Sequence, residues 1–168
     1  MQTAVYDYFR NALGVVGVAL TEQGICAIAL ADNEEQVLIE LQRLCPYLEF
    51  KRDVKKPKKA LKDVQRFLLE QVYSDLPLDI QGTEFQKQVW QALIDIPAGE
   101  TRSYKQIAQQ LGRPRASRAV ANACGANKIS LLIPCHRAVH SNGSIAGFGW
   151  GEDRKRILLA NEAGSILS

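Results

Sequence analysis

Apolar positions follow two rhythms along this chain, and the change from one to the other outlines a small α/β part followed by a more helical one. Val15 to Leu20 and Ile25 to Leu30 are short runs rich in Val and Ile, and Thr21-Glu22-Gln23-Gly24 between them predicts a hairpin. From Asp32 or Asn33, either able to cap, Val37, Leu38, Leu41 and Leu44 recur at helical spacing and stop before Pro46. Lys51 to Lys59 is too charged and interrupted for a core and reads as a solvated connection. Leu61, Val64, Leu68 and Val72 then mark an amphipathic helix closed by Ser74-Asp75-Leu76-Pro77. These signals predict a boundary near residue 80, with 1–80 an α/β domain built on an antiparallel sheet and 81–168 a second, helical domain.

The second part is punctuated by caps. Thr83 with Gln86 makes a capping box ahead of Phe85, Val89, Leu93 and Ile96, and Pro97 and Gly99 end that helix. Ser103 with Gln106 repeats the device ahead of Tyr104, Ile107, Ala108 and Leu111, up to Gly112. A third helix, about Ala116 to Ala126, follows a short turn containing Pro114, so the pair forms a helix-turn-helix candidate. Ala119, Ala121, Ala123 and Gly125 are small enough to let that helix approach DNA closely. Ser130 to Ile133 reads as a buried strand, the segments around Ser141-Asn142-Gly143 as a wing-like hairpin, and Glu152 to Ala163 as the last helix.

Charge sharpens the picture. Thr101 to Gly151 holds seven Lys or Arg and no acid, while the rest of the chain has 14 cations against 18 acids. Arg102, Lys105, Arg113, Arg115, Arg118, Lys128 and Arg137 therefore suit one part of the molecule to a polyanion. With 46% hydrophobic and 23% charged residues the composition excludes a disordered or fibrous chain. No apolar run approaches a membrane span and Met1-Gln2-Thr3-Ala4 lacks a secretory pattern, so a cytoplasmic location is expected. Cys26, Cys45, Cys124 and Cys135 show no Cys-x-x-Cys spacing and should be free thiols in a reducing compartment. His136 and His140 are the only histidines, so neither a structural metal nor a cofactor is expected.

Cys26, Cys45 and Cys124 read as inert small hydrophobes. Cys135 differs: it follows an apolar run and Pro134, precedes His136 and Arg137, and lies in the acid-free window. Cationic neighbours or an imidazole base raise the thiolate fraction of a cysteine. Successive residues of a strand point to opposite faces, so contact between Cys135 and His136 needs a turn or a bridging water. A histidine base is normally oriented by a third group, and Glu162 lies on the apolar side of the last helix, away from exposed Glu152 and Asp153. Cysteine peptidases could use the same trio, yet nothing suggests a peptide groove and much suggests DNA.

The order of Phe85-Gln86-x-x-Val89-Trp90, Ile96-Pro97-x-Gly99-Glu100, Ser103-Tyr104, Arg118-Ala119-Val120, Asn127 and Ile133-Pro134-Cys135-His136-Arg137 resembles the O6-alkylguanine-DNA alkyltransferases. The match is dense from Phe85 to Glu162 and only general before it. It implies an RNase H-like N-terminal domain and a winged-helix-like DNA-binding domain that carries the active site. It further implies a DNA-repair protein that flips O6-alkylguanine, chiefly O6-methylguanine and also O4-methylthymine, out of double-stranded DNA and takes the alkyl group on Cys135. His136 would activate that sulfur through a water and Glu162 would orient His136. Asn127 would tie the recognition helix to the active-site turn, Arg118 would enter the duplex, and Tyr104 would crowd the phosphate and help neutralise the departing guanine. Phe148, Gly149 and Trp150 would line the base pocket, with backbone groups around Cys135 and Ala138 on the guanine edge. Gln86, Lys105, Arg113 and Ser141 fall where the family touches DNA backbone. A thioether offers water no carbonyl to attack, so one turnover per molecule is expected.

Two departures stand out. Ala138 replaces the family's usual valine, and Trp150 replaces a small residue found in many relatives and is expected to narrow the pocket against bulky adducts. The zinc site of some members lacks matching histidines here. The alternative reading is a non-enzymatic lesion binder or helix-turn-helix regulator, which the acceptor cysteine argues against. A monomer is the default.

Overall fold

The computed structural model describes residues 1–73 and 75–164. They form two compact units, one made of Met1–Gln81 with Lys128–Leu132, the other of Gly82–Asn127 with residues 133–164.

The first unit is a sheet of β1 (Gln2–Asn11), β2 (Gly14–Thr21), β3 (Gly24–Ala31) and β4 (Leu48–Arg52) in the order β3-β2-β1-β4. The hairpin expected from the Val/Ile runs is β2 and β3, and β1 extends it antiparallel. β4 departs from the antiparallel expectation by pairing parallel with β1. Lys51 and Arg52, expected in a solvated connection, belong to this strand; an edge strand leaves such side chains in water. Helix α1 (Glu34–Leu44) starts where the Asn33 side chain accepts from the Gln36 amide. It lies close on the sheet because Gly17 leaves room: a Cβ there would stand 2.4 Å from Val37 Cγ1. Helix α2 (Lys58–Glu70) buries Ala60, Leu61, Val64, Phe67 and Leu68, each such large side chain contributing about 1.5–3 kcal/mol. Val72, assigned to its apolar stripe, falls beyond its end and is exposed, and Ser74 lies outside the described residues.

Every residue of β3 is buried, although β3 ends the sheet. Isolated bridges from Ile25 to Leu78 and from Ile28 to Ile129 cover it. The strand expected at Ser130–Ile133 therefore does not form: the segment makes only bridges and turns, and Leu131 takes a φ of 78° that no ladder tolerates. Its apolar side chains are buried without strand pairing.

In the second unit, α3 (Glu84–Ile94) and α4 (Tyr104–Gln110) both begin with complete capping boxes, Thr83 with Gln86 and Ser103 with Gln106. α5 (Ser117–Gly125) follows α4 across a short turn in which Gly112 has a φ of +73°. Trp90 Nε1 donates to the Ala123 carbonyl at 2.8 Å, fixing α3 against α5. β5 (Arg102–Ser103) pairs parallel with β6 (Ala138–Val139), and α6 (Glu152–Glu162) closes the unit. The Ser141–Gly143 turn is present, with the His140 amide donating to Ser144 O at 3.0 Å. No strand follows it among the described residues, so the expected wing is a closed bend and β6 takes its pairing from β5. Among the described residues no helix is long and apolar enough to cross a membrane.

Candidate active site

A 3₁₀ turn, Cys135–Arg137, presents the acceptor candidate. Pro134 has no N–H to continue a ladder, and the chain folds back on itself. The Cys135 amide donates to Ile133 O at 2.8 Å and the Arg137 amide to Pro134 O at 3.0 Å. Asn127, buried just after α5, donates its Nδ2 to Ile133 O at 2.8 Å. This turn removes the strand alternation that would hold Cys135 and His136 apart.

Glu162, the last residue of α6, meets that turn from the other side. His136 Nε2 bonds its Oε1, and Arg137 Nε donates to both oxygens at 3.0 and 2.9 Å. All three side chains are at most 3% exposed. Arg137 also donates Nη1 to Ile96 O at 2.7 Å, so the guanidinium counted above toward a DNA-facing charge is instead an internal brace. Burial alone pushes the Glu162 carboxyl up, but His136 and Arg137 more than offset it and hold it at about 2. Burial drives His136 below its ordinary 6.5 against the pull of Glu162, with Arg137 and Lys155 adding to the fall. The result near neutral pH is an ionised carboxylate facing a neutral imidazole. With Nε2–H directed at Glu162, the lone pair is on Nδ1, which is buried and has no hydrogen-bond partner in the protein. Such a ring can accept a proton from a neighbouring thiol.

Lys155, which pattern reading missed, is 1% exposed and donates Nζ to Ala138 O at 2.6 Å. A lone lysine in a helical stretch carries no sequence signal of burial; only its position seven residues before Glu162, on nearly the same helix face, hints at a shared target. Burial lowers its pKa, and the thiols of Cys135 and Cys124 pull it back up. Tyr104 is pushed to about 12, first by burial and then by Cys124 and Cys135. Tyr104, Cys124 and Lys155 thus lie within electrostatic range of Cys135, next to which His136 follows in the turn.

The other residues singled out in the sequence lie in the same unit. Tyr104 opens α4 and meets the His140 ring edge-on at 5.1 Å. Lys105, Arg113, Arg115 and Arg118 are exposed across the α4–α5 pair, with the Arg113 guanidinium 5.2 Å from the Phe85 ring. Arg118, Ala119, Asn122 and Gly125 form the exposed side of α5. Gln86 already uses its side-chain oxygen in the capping box, and Ser141 is exposed at the bend. Ala138 is fully buried, its amide donating to Cys135 O and its carbonyl accepting from Lys155. Phe148 is half-buried with Lys155 Nζ 5.7 Å from its ring, Gly149 is exposed, and half-buried Trp150 accepts from Arg154 Nη1 at 3.2 Å. Lys128 belongs to the other unit, 5.3 Å over the Tyr47 ring. Among the described residues no group of His, Cys, Asp and Glu could hold a metal ion.

A buried thiol, imidazole and carboxylate in the same unit as a cation-bearing helix-turn-helix define a class of cysteine-centred sites. Residues 84–164 match the family described as "6-O-methylguanine DNA methyltransferase, DNA binding domain". The methylated-DNA–protein-cysteine methyltransferase of Methanosarcina barkeri is 36% identical over 161 residues, 96% of this chain and 98% of that protein. The Escherichia coli bifunctional transcriptional activator/DNA repair enzyme Ada is 46% identical over 158 residues, 90% of this chain. A crystal structure of Mycobacterium tuberculosis OGT in complex with DNA superposes with a TM-score of 0.77 at 31% identity, covering 96% of this chain and 92% of that one. The chain belongs to the methylated-DNA–protein-cysteine methyltransferase family. It spans less than half the length of the Ada proteins of Salmonella typhimurium and Escherichia coli, 42% and 43%.

Proposed function

We propose that this protein repairs DNA by direct reversal, moving the alkyl group of O6-alkylguanine in duplex DNA onto Cys135 and being consumed in doing so. O6-methylguanine is the chief substrate and O4-methylthymine a lesser one. The observation that carries the reading is the neutral, buried His136 imidazole beside Cys135, held on Nε2 by Glu162 with Nδ1 unclaimed by the protein.

An alkylated base inside a duplex is out of reach of a buried sulfur, so it must be extruded, at a cost of about a few kcal/mol. Arg118 on the exposed side of α5 is the wedge that fills the stack, and Tyr104 packs at the target phosphate. Lys105, Arg113, Gln86 and Ser141 hold the backbone. The extruded base enters between Cys135, Phe148, Gly149 and Trp150. The Cys135 thiol gives its proton to His136 Nδ1 through a bridging water, and the sulfur attacks the alkyl carbon. An S–C bond forms, the O6–C bond breaks with its electron pair going to the base, and Tyr104 helps neutralise the leaving guanine. Asn127 keeps the turn in place throughout by its grip on Ile133 O. The product thioether has no route back to a thiol. Trp150 narrows the entrance, so Trp150→Gly speeds benzyl transfer relative to methyl transfer. We read the protein as a monomer of the cytoplasm in which 81–168 does the chemistry and 1–80 supports it.

The test is incubation with a duplex containing O6-methylguanine, followed by intact and peptide mass measurement. One methyl group on the peptide containing Cys135 is the expected result. Tight binding of the lesion with unchanged mass would overturn transfer and leave a non-enzymatic lesion-binding or regulatory protein; a regulatory part is named for the Ada relatives, beside DNA repair in that of Escherichia coli.

A further inference from the structure

Residues 51–62 carry seven Lys or Arg and one acid, Asp53. Outside this stretch and the acid-free window, the other 105 residues carry seven Lys or Arg against seventeen Asp or Glu, so an excess of positive charge is confined to two places. Only one belongs to the helix-turn-helix. The other lies on the sheet unit, where the expected solvated connection is in fact ordered: the end of edge strand β4, a tight turn, and the first turns of α2.

Its acid is spent on shaping that turn. Asp53 accepts from the backbone amides of Lys55 and Lys56 at 2.8 and 3.2 Å, which holds its carboxyl below the usual range. Buried Pro57 and the buried face of α2 anchor the rest. Arg52 pairs with Asp7 and Lys59 with Asp63, whereas Lys51, Lys55, Lys56, Lys58 and Lys62 are exposed and their ammonium groups form no salt bridge among the described residues, Asp53 reaching only the backbone amides of Lys55 and Lys56. Lys58 and Lys62 stand four residues apart on α2, about 6 Å along its axis. Like charges at that spacing repel and weaken a helix, a cost that an external polyanion reverses.

We propose that this face, led by Lys55, Lys58 and Lys62, is a second docking surface for the sugar–phosphate backbone of double-stranded DNA, apart from the helix-turn-helix. The choice of DNA as the polyanion rests on the function proposed above. Single-stranded nucleic acid calls for exposed aromatic rings among the cations, and a membrane surface for several large apolar side chains. Between Lys51 and Lys62 there is no aromatic residue and Val54 is the only large exposed apolar one.

The experiment measures affinity of the full chain for an unmodified duplex at several salt concentrations. The triple variant Lys55→Gln/Lys58→Gln/Lys62→Gln should bind more weakly and lower the slope of log K against log salt by about 2 to 3, since each phosphate contact contributes about 0.9. The corresponding triple Lys→Arg variant should keep the wild-type slope. Methyl transfer from free O6-methylguanine base to Cys135 should be equal in all three proteins, which shows that the fold survives. An unchanged slope overturns the proposal, as does loss of binding to phosphatidylserine vesicles with DNA binding intact. A wild-type chain that takes no methyl group while the slope still falls would refute the repair reading and leave the surface standing.

Discussion

Cys26 in the sheet unit and Cys135 in the helical unit are buried almost equally, 4% and 7% exposed, yet their surroundings are opposite. Cys26 sits inside β3 with its Sγ against Ala19 O at 3.5 Å, and burial, aided by Cys45 and Asp79, pushes its thiol to about 12. Around Cys135 the fold has buried polar groups as well: an imidazole, a carboxylate, a guanidinium and an ammonium, each with a partner in the turn or on α6. Burial alone makes a thiol inert. What makes one usable is the company buried with it, and charges buried together must satisfy one another or cost several kcal/mol each.

The comparison breaks most completely at the sulfur itself. Cys135→Ser should abolish methyl uptake while Cys26→Ser retains it, as read by peptide mass; labelling elsewhere in the Cys135→Ser protein would show that the environment does not select the site. Next in size, Glu162→Gln leaves Arg137 buried without its counter-charge and should cost about 3 kcal/mol in urea unfolding. It should also slow single-turnover transfer about a hundredfold, because His136 loses its orienter. A variant as fast as wild type would remove Glu162 from the chemistry.

Acid should separate the two cysteines more gently. His136 is held below 6.5 in the fold, so the unfolded chain takes up that proton first. The stability it contributes is whole above pH 6.5 and falls below it; Glu162, lowered from 4.5 to about 2, adds a further loss as pH drops through that range. Transfer should persist as pH falls through 6.5 and decline only below it, and pH-jump kinetics showing a midpoint at or above 6.5 would contradict a buried neutral base. The smallest effects belong to the caps: Thr83→Ala and Ser103→Ala should each cost about 1 kcal/mol in urea unfolding without changing the fate of either thiol.

Where one local rule acted alone, the sequence was a good guide. Both capping boxes form at Thr83 and Ser103, and the hairpin turns at the residues between the two Val/Ile runs. β1 gave no usable signal because Asp7 and Arg10 interrupt its apolar residues, and those charges are answered from a distance by Arg52 and Glu34. The run Ser130–Ile133 misled for the converse reason: buried apolar residues look the same whether they pair as a strand or merely cover one. At the site, Cys135, His136 and Glu162 could be singled out by residue type, but the internal work of Arg137 and Lys155 could not. Their partners are backbone carbonyls of Ile96 and Ala138, which have no identity in a sequence.

α6 grips the Cys135–Arg137 turn and the strand after it at two points, Lys155 on the carbonyl of Ala138 and Glu162 on His136 and Arg137. Seven residues separate the two grips, almost two full helical turns, so both side chains reach the same side. Register is therefore the quantity this helix must conserve. Inserting one residue between Lys155 and Glu162 would swing one grip about 100° away from the other. The bend from His140 to Gly151 lies ahead of both grips, so a residue inserted there leaves Lys155 and Glu162 in phase with each other.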